Sequence, residues 1–358
     1  MSYLLAFLGF IALIVFHEAG HFTAAKAVGM RVERFSLFFG PMLVKVRRGE
    51  TEYGIGPIPL GGYVKITGMN PHEEMAPEVL PRAYFNQPVW KRIVVILAGP
   101  FVNLLIAFFI FFGVFLASGV LVPSHTVAAG SLQAPGSHYL KAGDKIVSVD
   151  GRRHLSLTQI THQIASHRCP GRQTAGCVAK TPVALVVRRD HRLLTFQIRP
   201  HYDPRLGRVR IGFAFAYGVQ RLGPAAAANE SVDKMWFVTT TTVSTVARIF
   251  EPKERSQLHG AVGAFKITQQ VFAYSATQAL LTLALISLSL AIINLFPFLP
   301  LDGGHVFWAL AEKVRGRRIP FSVMERAGVV GFVLIILVFV IGLSNDISTL
   351  TGSGFNVR

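Results

Sequence analysis

The sequence predicts a multi-pass α-helical membrane protein: four transmembrane helices, a membrane-associated β-sheet loop, and one small exterior α/β domain. Three observations carry this reading. Only 15% of the 358 residues are charged and 51% are hydrophobic, whereas average soluble domains carry about 25% charged residues. Several stretches lack any charge over the length that a helix needs to cross a bilayer, about 20 residues. Between them lie short alternating segments punctuated by Gly and Pro, the pattern of strands and turns. Disorder, collagen and coiled coil are excluded by 28 Phe residues and by the lack of a three-residue Gly period or a heptad run.

In chain order, the first span covers about residues 3–27. It opens with fourteen uncharged positions, Tyr3 to Phe16, and reaches spanning length only by taking in His17, Glu18 and His21. It lacks a basic leader and a small-residue cleavage site before His17, so it is expected to be retained and not removed as a signal peptide. Ile93 to Val122 and Ile267 to Leu301 give thirty and thirty-five residues without charge, and Ala327 to Leu343 gives seventeen. The loop after the first span reads as four strands, Val32–Phe39, Leu43–Arg48, Thr51–Ile58 and Gly62–Thr67, separated by Gly-containing turns, with a plain solvated hairpin loop as the alternative to a membrane-side sheet whose edge pairs with a peptide. The expected organisation is therefore 1–122 (two spans and the strand-rich loop), 123–218 (exterior domain), 219–266 (an amphipathic segment along the outer surface, with Trp236 and Phe237 as interfacial anchors) and 267–358 (two spans).

Orientation follows from Lys and Arg in the short loops. Residues 27–92 hold nine and residues 311–324 hold four, which places these loops in the cytoplasm and both termini and the 123–266 segment outside. Much of the net charge of +17 is then a topology signal, and no nucleic-acid motif claims the rest. The only cysteines, Cys169 and Cys177, fall in the exterior segment, where an oxidising space permits a disulfide.

The chemistry concentrates in two places. His17-Glu18-Ala19-Gly20-His21 is an HExxH pattern, and residues four apart on a helix stack one turn above each other, so both imidazoles can reach one Zn²⁺ while Glu18 addresses its water. Ionisable groups inside a span cost about 2.5–3.5 kcal/mol each, so three together demand a compensating partner. Catalytic zinc takes three protein ligands. Asp302 is the candidate third, presented in Asn294-Leu-Phe-Pro297-Phe-Leu-Pro300-Leu-Asp302-Gly303-Gly304-His305, where the prolines forbid a continuous helix and the glycines let the chain turn. His305 is a rival ligand, and a helix cap is the structural alternative for Asp302.

With these motifs in place, the chain resembles the site-2 proteases, intramembrane zinc metalloproteases, in the bacterial branch with an exterior PDZ module. The resemblance rests on HEAGH at 17–21, Gly61-Gly62-Tyr63-Val64-Lys65, Ala98-Gly99-Pro100 with Asn103, and Asn294 through Gly304; Leu140 to Ile146 and Val149-Asp150-Gly151 carry the PDZ likeness. It implies zinc held by His17, His21 and Asp302, Glu18 as catalytic base and Asn294 as a substrate-binding group. It further implies a membrane-reentrant sheet whose edge holds unwound substrate, and a bacterial inner-membrane location. The implied partners are the lipid bilayer and single-pass transmembrane proteins pre-trimmed by another protease, such as an anti-sigma factor or a signal-peptide remnant. Two departures stand out: the second proline lies six residues after Asn294 where relatives often place it at five, and only one PDZ-like module is visible. The competing readings are a non-catalytic PDZ membrane scaffold with a structural metal, and an ion or metal transporter.

Overall fold

A computed structural model describes residues 2–70, 73–171, 173–248 and 275–352, with isolated positions between 251 and 271. The chain divides into two compact units, Met1–Ala117 with Gly223–Arg358, and Ser118–Leu222.

In the first unit, helices α1 (Ser2–Ala27), α2 (Val89–Ser118), α5 (Ala276–Asn294) and α7 (Phe321–Thr351) are long and apolar enough to cross a membrane. Their ends differ from the apolar runs in instructive ways. Helix α2 stops at Ser118, four residues short of the expected Val122, because Gly119 takes a left-handed conformation (φ 73°) and the remaining apolar residues open a strand. Helix α5 ends at Asn294, since Pro297 and Pro300 cannot continue it; the expected start of that span, 267–275, falls mostly outside the described residues. Helix α7 runs six residues earlier and eight later than the seventeen-residue apolar run, since a helix need not end where its apolar stretch does. Helix α4 (Pro224–Ala247) exposes Trp236 and Phe237, and the remainder of the expected amphipathic segment to residue 266 lies largely outside the described residues.

The strand-rich loop is a four-stranded sheet ordered β2-β3-β1-β4, with β1 (Val32–Phe39), β2 (Val44–Arg48), β3 (Thr51–Ile55) and β4 (Ile58–Ile66). Strands β2 and β3 form a hairpin, β1 and β3 pair in parallel, and β4 closes antiparallel on β1 as an edge strand. Phe22 of α1 meets Phe35 and Tyr53 edge-on at ring-centroid distances of 5.6 and 5.8 Å, so the sheet seats on the helix one residue beyond His21. Glu50, in the β2–β3 turn, accepts from Arg82 Nη1 and Nη2 at 2.7 and 2.8 Å and from Lys26 at 2.5 Å, tying the sheet to the end of α1.

The second unit sets a six-stranded sheet, path β12-β5-β6-β8-β9 with β7 on β6, against helix α3 (Leu157–Ala165), with a β10–β11 hairpin beside it. Its strands are β5 (Val120–Val127), β6 (Lys145–Val149), β7 (Arg152–Arg153), β8 (Val183–Arg189), β9 (Arg192–Ile198), β10 (His201–Asp203), β11 (Arg208–Arg210) and β12 (Phe215–Gln220). The core is aliphatic, with Val127, Ile146, Val149, Ile160, Ile164, Leu185 and Ile198 all buried. Ser156 and Gln159 form a capping box at the start of α3. Cys169 and Cys177 are bonded, with Cα atoms 6.1 Å apart. This unit carries fifteen Lys and Arg against four Asp and no Glu, so eleven of the chain's seventeen excess positive charges lie here and not in the short loops. The charge excess is mainly a property of this domain, a correction to its reading as a topology signal.

One ion pair in the second unit contributes to its acid stability. The Asp144 side chain is 1% exposed and accepts from Arg189 Nε and Nη2, both at 2.7 Å, and from the Lys141 amide at 2.8 Å. Burial pushes its carboxyl up, but the hydrogen bonds from Arg189 and the Lys141 amide outweigh that and hold it below the usual carboxylate range. The contribution is therefore complete above the ordinary Asp value of about 4 and is lost as pH falls through the lower folded value. Arg189→Ala is expected to lower the opening free energy of the β8 and β9 amides by about 2–3 kcal/mol at pH 7, with the gap to wild type narrowing in acid. Hydrogen exchange on the full chain measures it; a gap that persists unchanged at pH 3 would refute the ionic origin.

Candidate metal centre

The first turn-pair of the site comes from α1. His17 and His21 are each 7% exposed, their rings meet edge-on with centroids 4.8 Å apart, and their Nε2 atoms stand 3.2 Å from each other. The ring of His21 is aimed from behind: its Nδ1 donates to the Val95 carbonyl of α2 at 2.9 Å, which leaves the Nε2 lone pair facing forward.

Asp302 is the first residue of helix α6 (Asp302–Arg315). It does not act as the cap, a position held by Leu301, and its Oδ2 lies 3.3 Å from the Nε2 of both histidines. The chain after α5 doubles back so tightly that a Cβ on Gly303 would sit 2.2 Å from the Leu295 carbonyl oxygen, and one on Gly304 2.5 Å from the Leu299 amide. The two glycines are needed for this close backbone approach within a helix, and not for the turn that the sequence alone suggested. Helix α6 is held in place by a bidentate pair, Arg92 of α2 to Glu312 at 2.8 and 2.9 Å, with Arg92 only 8% exposed.

Glycine also makes room on α2 and β4. A Cβ at Gly99 would fall 2.2 Å from His21 Nε2, and one at Gly20 would fall 2.6 Å from the Ala98 carbonyl oxygen, so α1 and α2 touch through two glycines at the level of the site. A Cβ at Gly62 would meet Glu18 Cγ at 2.8 Å, which puts edge strand β4 directly against the Glu18 side chain. Asn294, the last residue of α5, is half-buried and lies eight residues ahead of Asp302. His305 is not among the three residues that converge.

The donor set fits zinc. The ligand atoms of His17, His21 and Asp302 lie within 4.8 Å of one another, and Asp302 Oδ2 is buried without a hydrogen-bond partner. Tetrahedral ligands at about 2.0–2.1 Å from an ion stand about 3.3–3.4 Å apart, close to the 3.2 and 3.3 Å that these three atoms show. Three acceptors facing one point would repel one another, and a divalent cation at that point removes the conflict.

Helices fit to cross a bilayer, with two histidines and an aspartate gathered where they meet, define a membrane zinc metalloprotease. The profile of Peptidase family M50 matches residues 5–338, more than nine-tenths of the chain, and the chain belongs to that family. Among its relatives, the zinc metalloprotease Rip1 of Mycobacterium tuberculosis is 30% identical over 354 residues, covering 86% of this chain and 85% of that protein. A protein of Clostridium perfringens named as a candidate zinc metalloprotease is 30% identical over 354 residues, 97% of this chain and 98% of its own length. One of Rhizobium meliloti, named in the same way, is 28% identical over 374 residues, 97% of this chain and 96% of its own length.

Proposed function

We propose that this membrane zinc metalloprotease hydrolyses peptide bonds within the transmembrane segments of single-pass membrane proteins, with His17, His21 and Asp302 as the zinc ligands. The observation that carries the reading is the placement of HExxH inside an apolar helix, with Asp302 Oδ2 3.3 Å from both imidazoles. When bound, zinc supplies Lewis acidity, polarising the scissile carbonyl and bringing the pKa of its water towards about 7. Glu18 takes the proton of the attacking water and delivers it to the leaving amine.

The harder step is access to the bond. A transmembrane helix bonds all its carbonyls internally, so each freed backbone group needs a new partner. Strand β4 offers those partners, being an edge strand that lies against Glu18 through Gly62. Asn294 adds a side-chain amide at the end of α5. The sheet then lies within the membrane, and the second unit, a PDZ-like domain, filters substrates already trimmed by another protease. Membership of this family supports a bacterial inner-membrane location, and the Lys and Arg of the short loops support an orientation with both termini and that domain outside the cytoplasm. An anti-sigma factor or a signal-peptide remnant fits this substrate class.

Co-expression with tagged single-pass proteins tests the reading. Wild type is expected to yield a shortened fragment and Glu18→Gln none, a loss of at least 10²-fold, on the order of what a general base contributes, with zinc content unchanged. A fragment of equal yield from the Glu18→Gln protein, or partner binding without any cleavage by wild type, would reject it in favour of a scaffold.

A further inference from the structure

His17 differs from His21 in how its outward nitrogen is held. His21 Nδ1 faces a backbone carbonyl, which can only accept. His17 Nδ1 faces a side-chain amide, that of Asn103 on α2, at 3.1 Å. Asn103 is 0% exposed, its backbone carbonyl accepts from Ser287 Oγ of α5 at 2.9 Å, and its Oδ1 has no hydrogen-bond partner among the described residues. For His17 to offer its Nε2 lone pair to a cation, Nδ1 must carry the ring proton. An Nδ1–H pointing at the amide Nδ2 would set donor against donor, while the amide's acceptor stayed unused. A half-turn about the Asn103 Cβ–Cγ bond exchanges the two ends within almost the same volume. As the amide stands, the end remote from His17 has no hydrogen-bond partner among the described residues, so the contact to the imidazole decides.

We propose that Asn103 is a positioning residue of the metal centre, whose Oδ1 accepts the His17 Nδ1 proton and so fixes the tautomer that binds zinc through Nε2. It does so from a third element: α1 supplies the ring, α2 the amide, and α5 secures the amide's backbone through Ser287. The proposal rests on zinc being held by His17, and it is tested without any substrate, so failure to find a cleavable substrate leaves its outcome intact.

The experiment is zinc affinity of the purified full chain by competition with a chromophoric chelator, for Asn103→Ala, Asn103→Leu and Asn103→Asp. Loss of the acceptor in the Ala and Leu proteins is expected to weaken zinc by about 10–100-fold, the range for removing a hydrogen-bond partner behind a ligating histidine. The Asp protein keeps an acceptor oxygen in nearly the same shape and is expected to stay within about threefold of wild type or to bind tighter. A purely structural amide would not be rescued by a carboxylate. Wild-type affinity in the Ala protein, or an Asp protein as weak as the Ala protein, overturns the assignment. Where the Leu protein does not fold, the Ala and Asp pair decides alone.

Discussion

Gly99→Ala is expected to abolish stoichiometric zinc binding and peptidase activity while adding a single methyl group to the chain. The methyl carbon would occupy a point 2.2 Å from His21 Nε2, and essentially no real contact is that short. The imidazole cannot retreat cheaply, because its Nδ1 is tied to Val95, on the same face of α2 as the offending methyl. Parting the helices would give up the close contact that Gly20 makes with the Ala98 carbonyl. The ring must swing off the point shared with His17 and Asp302, and one of three ligands is lost. Zinc content by atomic absorption of the purified full chain, alongside circular dichroism to establish retained helix, measures the effect. A folded Gly99→Ala protein with one zinc per chain would contradict the packing.

The second large effect falls on Asp302. Asp302→Ala removes the proposed anionic ligand and leaves two imidazoles, and the affinity loss is expected to go well beyond the about 10–100-fold produced by changes behind the ligands. The fold should survive. Asp302 is not the side-chain cap of α6, and the bidentate Arg92–Glu312 pair still anchors that helix further along. Removing one carboxylate also relieves a buried acceptor that has no hydrogen-bond partner of its own. The Ala protein is therefore expected to be at least as heat-stable as metal-stripped wild type, and less stable than zinc-loaded wild type, since a ligand that binds only the folded state stabilises it. Thermal melts with and without chelator separate these cases; an Asp302→Ala protein whose melting temperature still drops on chelation would show that it retains the metal.

How much of this was legible beforehand depended on the kind of signal. His17, Glu18 and His21 announce themselves because helical spacing alone stacks them, and Asp302 stood out as an acid among prolines and glycines beside an apolar run. The four strands of the loop were readable within a few residues from alternation and Gly-containing turns. The parallel pairing of β1 with β3 was not, because pairing partners are chosen by three-dimensional packing and leave no trace in local period. Gly119 ended a helix inside an apolar stretch, which hydropathy reads as continuous. Gly99, Asn103 and the Arg92–Glu312 pair act on residues 78 to 220 positions away, and only the folded chain shows what they touch.

The two margins of the small sheet are unlike. Strand β2 forms one of them, with all five residues exposed, and three of these, Lys45, Arg47 and Arg48, are cationic. Like charges along a rim repel a second copy of the same rim and discourage strand-by-strand growth there. Strand β4 forms the other, and nothing comparable guards its Gly61-Gly62 stretch. On the proposed reading, an added strand is therefore favoured beside β4, the flank next to Glu18, over the cationic β2 rim.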